Sequence, residues 1–232
     1  MNPHNTLART FGVFFILTFV SYGAGSALID SIINSPQGLL NVYENKTAFV
    51  IGIILMTLIH TVFNIGLAII VLPIIKPYNP YCAYAYLSFA IMATLVLSMG
   101  AILLLLILPL SEEYASTSFS SLSSIELMAN LLTKGGFYAY HLAMSLWGIG
   151  SLMFTFALFQ SRLIPRFMSA WGMTGYLVLI AGSISQLFTP NDDIEIYSVI
   201  VGASFEITLS LWLIVKGFNQ GELNTDVGLA HE

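Results

Sequence analysis

The sequence predicts an all-α polytopic membrane protein, on three observations: six apolar segments long enough to cross a bilayer, very few charges, and no strand-like alternation. Of 232 residues, 57% are apolar and only 8% are charged, whereas a typical soluble domain carries about 25% charged residues. Mean hydropathy is +0.85. A chain of this size cannot bury that much apolar surface and still present a polar exterior to water. The composition also excludes a disordered chain and a disulfide scaffold, since Cys82 has no second cysteine to pair with. A net charge of −5 with no basic run excludes nucleic acid as a partner. The lipid bilayer is the partner that the composition implies. A membrane β-barrel would alternate in segments of about ten residues, and the unbroken apolar run over residues 101–108 does not alternate.

A membrane helix needs roughly 20 apolar residues. The expected spans are residues 11–33, 47–75, 82–109, 136–160, 167–188 and 194–215. They form a single domain over residues 1–218, followed by a short polar tail at 219–232. Span 1 is too long for a secretory signal and carries Asp30 near its end. Its Gly23-x-x-x-Ala27 pattern reads as a close helix contact. Span 2 places Thr57, His60, Thr61 and Asn64 on one face. Span 3 has no acid, base or histidine, which suits a lipid-facing edge. In the linker that follows, Ser123-Ser124-Ile125-Glu126 fits a capping box. Ile125, Met128, Ala129 and Leu132 then share a face, so residues 123–134 are expected to form a short amphipathic helix at the membrane surface. Span 4 aligns His141, Ser145, Gly148 and Thr155, and span 6 repeats Ser198, Gly202, Glu206 and Ser210 every fourth residue. Such stripes should turn inward, giving a polar core between spans 1, 2, 4, 5 and 6.

Orientation follows from Lys and Arg. One side of the six spans holds Arg9, Lys76, Arg162, Arg166 and Lys216, and the other holds Lys46 and Lys134. The side richer in Lys and Arg is the cytoplasmic one, which puts both termini there. The Asn191-Asp192-Asp193 turn and the Asn45-Lys46-Thr47 sequon then face outward.

Ionisable groups inside a bilayer are costly unless paired or facing a cavity. Counted at about 1.5 Å per residue from the outer ends, His60 lies ~20 Å deep, Glu206 ~17 Å, His141 ~8 Å and Asp30 ~5 Å. Two tiers follow. Asp30, His141 and Gln186 form the upper tier, and His60, Asn64 and Glu206 the lower one. His141 is expected to face inward beside Asp30 or Gln186, and Glu206 to be the centre of the lower tier. Glu206 is either a structural hydrogen-bonding group or a proton-carrying or ligand-binding one.

No catalytic residues, metal ligands or cofactor motif are read. There is no H-E-x-x-H, no pair of cysteines and no G-x-S-x-G elbow, and Gly172-Met173-Thr174-Gly175 is not a phosphate loop. Trp147, Trp171 and Trp212 read as interface or packing residues.

The order of motifs resembles a mostly bacterial six-helix membrane family catalogued as a domain of unknown function, DUF4386. The resemblance rests on Arg9-Thr10-Phe11-Gly12, on His141, and on Gln160-Ser161-Arg162-Leu163-Ile164-Pro165-Arg166 with Trp171-Gly172. It rests further on Phe205-Glu206 and on Leu211-Trp212-Leu213-Ile214-Val215-Lys216-Gly217. It implies an integral protein of the bacterial cytoplasmic membrane and maps family positions onto Arg9, Gly12, His141 and Glu206. The frequent acid of span 3 in that family has no counterpart between Tyr86 and Gly100. Three roles stay open: a small-molecule or proton-linked carrier, a non-catalytic accessory or immunity-type protein, and a membrane-embedded enzyme acting on lipid. Six spans without evident repeats are few for a carrier, which favours a homo-oligomer in that case.

Overall fold

The computed structural model describes residues 3–116 and 122–219. Every regular element among them is helical: α1 (Pro3–Ile33), α2 (Leu39–Glu44), α3 (Lys46–Ile54), α4 (His60–Ile75), α5 (Pro80–Leu105), α6 (Ile107–Ser116), α7 (Leu122–Ser161), α8 (Arg166–Phe188) and α9 (Asp192–Val215). A π turn, Leu55–Ile59, joins α3 to α4 without ending the helix. Six of the resulting rods are long and apolar enough to cross a membrane: α1, α3 with α4, α5 with α6, α7, α8 and α9. They are spans 1 to 6, and the protein is an all-α, multi-pass integral membrane protein.

The spans close into a ring. Each packs on the next in sequence, and span 6 returns to span 1. Short connections make this ordering the natural one, because consecutive antiparallel helices become neighbours. Caps fix two of the turns. The Asn79 side chain accepts the Cys82 N–H at 3.0 Å before Pro80 opens α5. The Asn191 side chain accepts the Ile194 N–H at 3.1 Å, and Asp192, Asp193 and Glu195 occupy the first turn of α9, where the helix dipole favours acids. Two apolar clusters fill the ring. One, with Phe11, Phe15, Phe154, Leu163 and Phe205, lies toward the end that carries the termini, and the other, with Ile29, Phe49, Ile53 and Leu104, lies toward the opposite end.

Three expectations are corrected here. Residues 123–134 are helical, but they are not a separate surface helix. They form the first turns of α7, whose 40 residues extend about 60 Å at 1.5 Å per residue, about twice the hydrocarbon thickness. Ser123 already lies inside the helix, and Glu126 closes no capping box but accepts the Tyr114 hydroxyl at 2.9 Å. Gly135 and Gly136 suggest a break at the span boundary. They stay helical because their bare backbones admit Leu103 and Leu104 of α5.

The Gly23/Ala27 contact is displaced by two residues. A Cβ on Gly23 would meet nothing within 4 Å, whereas one on Gly25 would lie 2.5 Å from the Gly52 carbonyl oxygen. The crossing of spans 1 and 2 is therefore Gly25 on Gly52. Nor is span 3 a lipid-facing edge: it turns Tyr86, Ala90, Ala93, Thr94 and Leu97 inward. In a ring every helix has one inner and one outer face. The expected polar tail at 219–232 lies outside the described residues apart from Asn219.

Candidate functional site: two chambers inside the ring

An inner chamber of about 190 Å³ opens between the two clusters. Span 1 contributes Phe15, Phe19 and Tyr22, span 2 His60 and Asn64, span 3 Thr94, span 4 Tyr140 and Trp147, and span 6 Glu206. The lower tier of His60, Asn64 and Glu206 thus shares one chamber.

Glu206 is 7% exposed. Its Oε1 accepts the Tyr176 hydroxyl at 2.8 Å and the Trp147 Nε1–H at 3.2 Å. These bonds join span 6 to spans 5 and 4. Both go to the same oxygen, and Glu206 also lines the chamber. Tyr86 stacks on Phe154 at 4.8 Å, and its buried hydroxyl has no hydrogen-bond partner among the described residues.

His60 follows the π turn, a local widening that recurs at functional sites. Its Nδ1 lies 3.2 Å from the Thr18 carbonyl oxygen. A carbonyl only accepts, so Nδ1 carries the proton and Nε2 is the acceptor when the ring is neutral. The Tyr22 ring meets His60 edge-on at 5.5 Å. Glu206 and His60 therefore face one chamber while each is held by its own partners. No hydrogen bond links them directly among the described residues.

A second, outer chamber of about 320 Å³ lies toward the ends of the spans that carry Asp30 and Glu195. Asp30, Asn34 and Glu195 line it, with Tyr22, Leu97 and Tyr140 as walls common to both chambers. Tyr22 and Tyr140 stack at 5.7 Å with 21° between their planes. The stacked pair stands where the chambers adjoin. Asp30 is exposed and accepts the Ser26 hydroxyl at 3.1 Å. Among the described residues no lysine or arginine lines either chamber.

The upper tier does not assemble as expected. His141 is buried and packs on Phe137 at 4.3 Å and Tyr140 at 5.0 Å. The acid beside it is Glu195, with Nε2 3.9 Å from Oε2 and no hydrogen bond, and neither Asp30 nor Gln186 bonds to the ring among the described residues. Gln186 instead clamps the turn before α9. Its Nε2 donates to the Asn191 carbonyl, and its Oε1 accepts the Asn191 N–H, both at 2.7 Å. A side-chain amide bonded twice to backbone has a structural role.

The remaining family-motif residues gather at the opposite end of the ring. Gly12 is buried, and a Cβ there would lie 2.5 Å from the Ser210 carbonyl oxygen, so it sets the approach of span 1 to span 6. Ile164 is buried, Pro165 precedes α8, and Trp171 meets Phe205 edge-on at 6.1 Å. Arg9, Arg166 and Lys216 are exposed, with the Lys216 ammonium 4.3 Å above the Trp212 ring. Gly217 ends α9 at φ 74°, in the left-handed region that glycine enters without strain.

Sequence reasoning missed Tyr22, Tyr140, Trp147, Tyr176 and Glu195. Two signals were available. Glu195 extends the Ser198–Gly202–Glu206 stripe backward by one turn, and Tyr140 and Trp147 lie seven residues apart on one face. Tyr22 and Tyr176 had no such signal, because buried aromatic residues are common in any membrane core.

A family model described as a domain of unknown function, DUF4386, matches residues 10–217. The chain therefore belongs to that family. No curated protein and no solved structure matches it.

Proposed function

We propose that this DUF4386 protein is a carrier for a small organic cation, exchanged against a proton at Glu206. The observation that carries the reading is a carboxyl on the wall of a buried chamber that no Lys or Arg lines. A negative carboxylate there has no Lys or Arg on the chamber wall to compensate it, so a proton, on Glu206 or on the His60 that shares the chamber, or a ligand cation must do so. The aromatic walls of Phe15, Phe19, Tyr22, Tyr140 and Trp147 suit an ammonium carrying apolar groups, which binds to ring faces. Asp30 and Glu195 around the outer chamber favour the approach of cations. The inner volume of about 190 Å³ is below the 300–1,000 Å³ typical of drug-sized sites. The ligand is correspondingly small. Binding of one monovalent cation releases one proton from Glu206, so the carrier exchanges the two at neutral net charge.

In this reading both termini are cytoplasmic and the outer chamber opens away from the cytoplasm, in a bacterial cytoplasmic membrane. Support comes from the five basic residues at the termini's side, Arg9, Lys76, Arg162, Arg166 and Lys216.

The test is titration of the purified protein with benzyltrimethylammonium, followed by tryptophan fluorescence, since Trp147 lines the chamber. The expected result is saturable quenching that weakens as pH falls, with no response to benzyl alcohol. Glu206→Gln is expected to lose the response while keeping its melting temperature. An unchanged response in Glu206→Gln overturns the reading. A second reading, a non-transporting accessory protein, is favoured by the two bonds that make Glu206 a tie between spans 4, 5 and 6. It predicts that Glu206→Gln changes stability and that the wild type gives no saturable response.

A further inference from the structure

The Gln160–Arg166 and Leu211–Gly217 motifs lie far from both chambers, and the proposed carrier function uses neither. The fold brings them together. Leu163 and Ile164 are buried, and the Leu163 carbonyl accepts the Asn219 N–H at 2.9 Å, which joins the loop between spans 4 and 5 to the end of span 6. Arg162 takes φ 53° at this corner, a left-handed backbone that costs a non-glycine residue energy. Between the two segments opens a cleft of about 650 Å³, lined by Arg162, Arg166, Trp212 and Lys216 among others.

Three cations thus share one cleft, and among the described residues no Asp or Glu lines it. All three are exposed, and among the described residues none of them is paired with an acid. Two heads are set over rings, Lys216 over Trp212 at 4.3 Å and Arg166 over Phe159 at 5.2 Å. Arg166 also begins the 23-residue α8, whose first backbone N–H groups favour an anion. Beside the cleft Phe167, Leu211 and Val215 are exposed at 68%, 52% and 71%. These are side chains that a membrane helix turns to lipid. The cleft is therefore basic, and the exposed apolar side chains beside it are of the kind that meets lipid at a membrane surface.

We infer that this cleft binds the phosphate group of an anionic lipid from the leaflet it faces, with Arg162, Arg166 and Lys216 supplying the charge. Guanidinium groups bind phosphate oxygens in pairs, and the lysine adds a point charge. A free phosphate ion carries the same chemistry, and the rim of Phe167, Leu211 and Val215 favours the lipid.

Full-length protein in neutral detergent is titrated with phosphatidylglycerol, phosphatidylcholine or inorganic phosphate, and occupancy is read by native mass spectrometry. Phosphatidylglycerol is expected to bind saturably and more tightly than phosphatidylcholine, and its binding to weaken as salt is raised. Arg166→Gln/Lys216→Gln should weaken it by about fivefold per charge removed, and Lys134→Gln at the opposite end should leave it unchanged. Arg166→Lys restores most of the loss if charge is the cause. If the double variant does not fold, the salt series on the wild type decides alone. Equal binding of the two lipids, salt-independent binding, or full affinity in a folded double variant overturns the inference. Displacement of the lipid by millimolar inorganic phosphate keeps the phosphate site and overturns the lipid as its source.

Discussion

Glu206 owes its position to two neighbours of different kinds. Tyr176 donates from span 5 and Trp147 from span 4, and a carboxyl buried at this depth would be strongly destabilising without them. Tyr176→Phe removes the shorter bond and leaves the ring in place. Leaving a buried acceptor without one of its donors costs about 1–3 kcal/mol. Tyr176→Phe and Trp147→Phe should each lower the melting temperature, and the double variant should lose less or more than the sum, because both bonds reach one oxygen. Thermal unfolding of the four proteins of that cycle is the measurement. Strict additivity would mean that Oε1 does not couple the two donors. The serines and threonines of the same stripes behave differently. Ser210 donates to the Glu206 carbonyl at 2.7 Å, Ser145 to that of His141 at 2.8 Å, and Thr155 to that of Ser151 at 2.9 Å. Each satisfies itself within its own helix. A hydroxyl on the span 4 and span 6 stripes is therefore weak evidence of a site, while a carboxyl or imidazole, which has no such local outlet, is strong evidence; on the span 2 stripe the buried Thr57 and Thr61 hydroxyls have no partner among the described residues.

Periodicity made the six spans and their inward stripes legible in the sequence, but it could not fix helix register at contacts. Gly23 and Gly25 both belong to a small-residue stretch, and composition does not say which one touches span 2. The structure selects Gly25, where a Cβ would lie 2.5 Å from the Gly52 carbonyl and 2.7 Å from the Met56 nitrogen. Both obstacles are backbone, so the helices themselves must part. Gly25→Ala is expected to destabilise by about 1–3 kcal/mol as an overpacked contact. Gly23→Ala meets nothing within 4 Å and should stabilise by up to ~1 kcal/mol through helix propensity. Opposite shifts in melting temperature are the expected outcome, and shifts of the same sign would place the crossing elsewhere. The extent of α7 was hidden for a related reason. Gly135 and Gly136 are poor helix formers in isolation, but in the fold their bare backbones pack against Leu103 and Leu104 and the helix runs through them. The π turn before His60 left no trace in the apolar stretch that contains it.

At the scale of the whole molecule the ring separates two chemistries. The end with the termini carries Arg9, Lys76, Arg162, Arg166 and Lys216. The other end carries the acids Asp30, Asp192, Asp193 and Glu195, and its Lys46 is neutralised by Glu112 at 2.7 Å. Depth counting along each span gave the two tiers, and the lower one shares a chamber because His60, Asn64 and Glu206 lie at similar heights on inward faces. The upper tier failed because depth carries no azimuth. Gln186 lies near His141 in height but points into its own turn, while Glu195 reaches the imidazole from span 6. The proposed orientation rests on the same charge separation, since basic residues near span ends are retained in the cytoplasm. Cys82 is buried at 6% exposure, and Cys82→Ala gives a background for surface labelling. In intact cells a membrane-impermeant maleimide is expected to label Asp192→Cys, at the acidic end, and to leave Lys76→Cys unlabelled until the membrane is permeabilised. The reverse pattern would put the acidic chamber on the cytoplasmic side and the phosphate cleft outside. In the proposed carrier the outer chamber would then face the cytoplasm, so this one measurement fixes the side from which that chamber is entered as well as the topology.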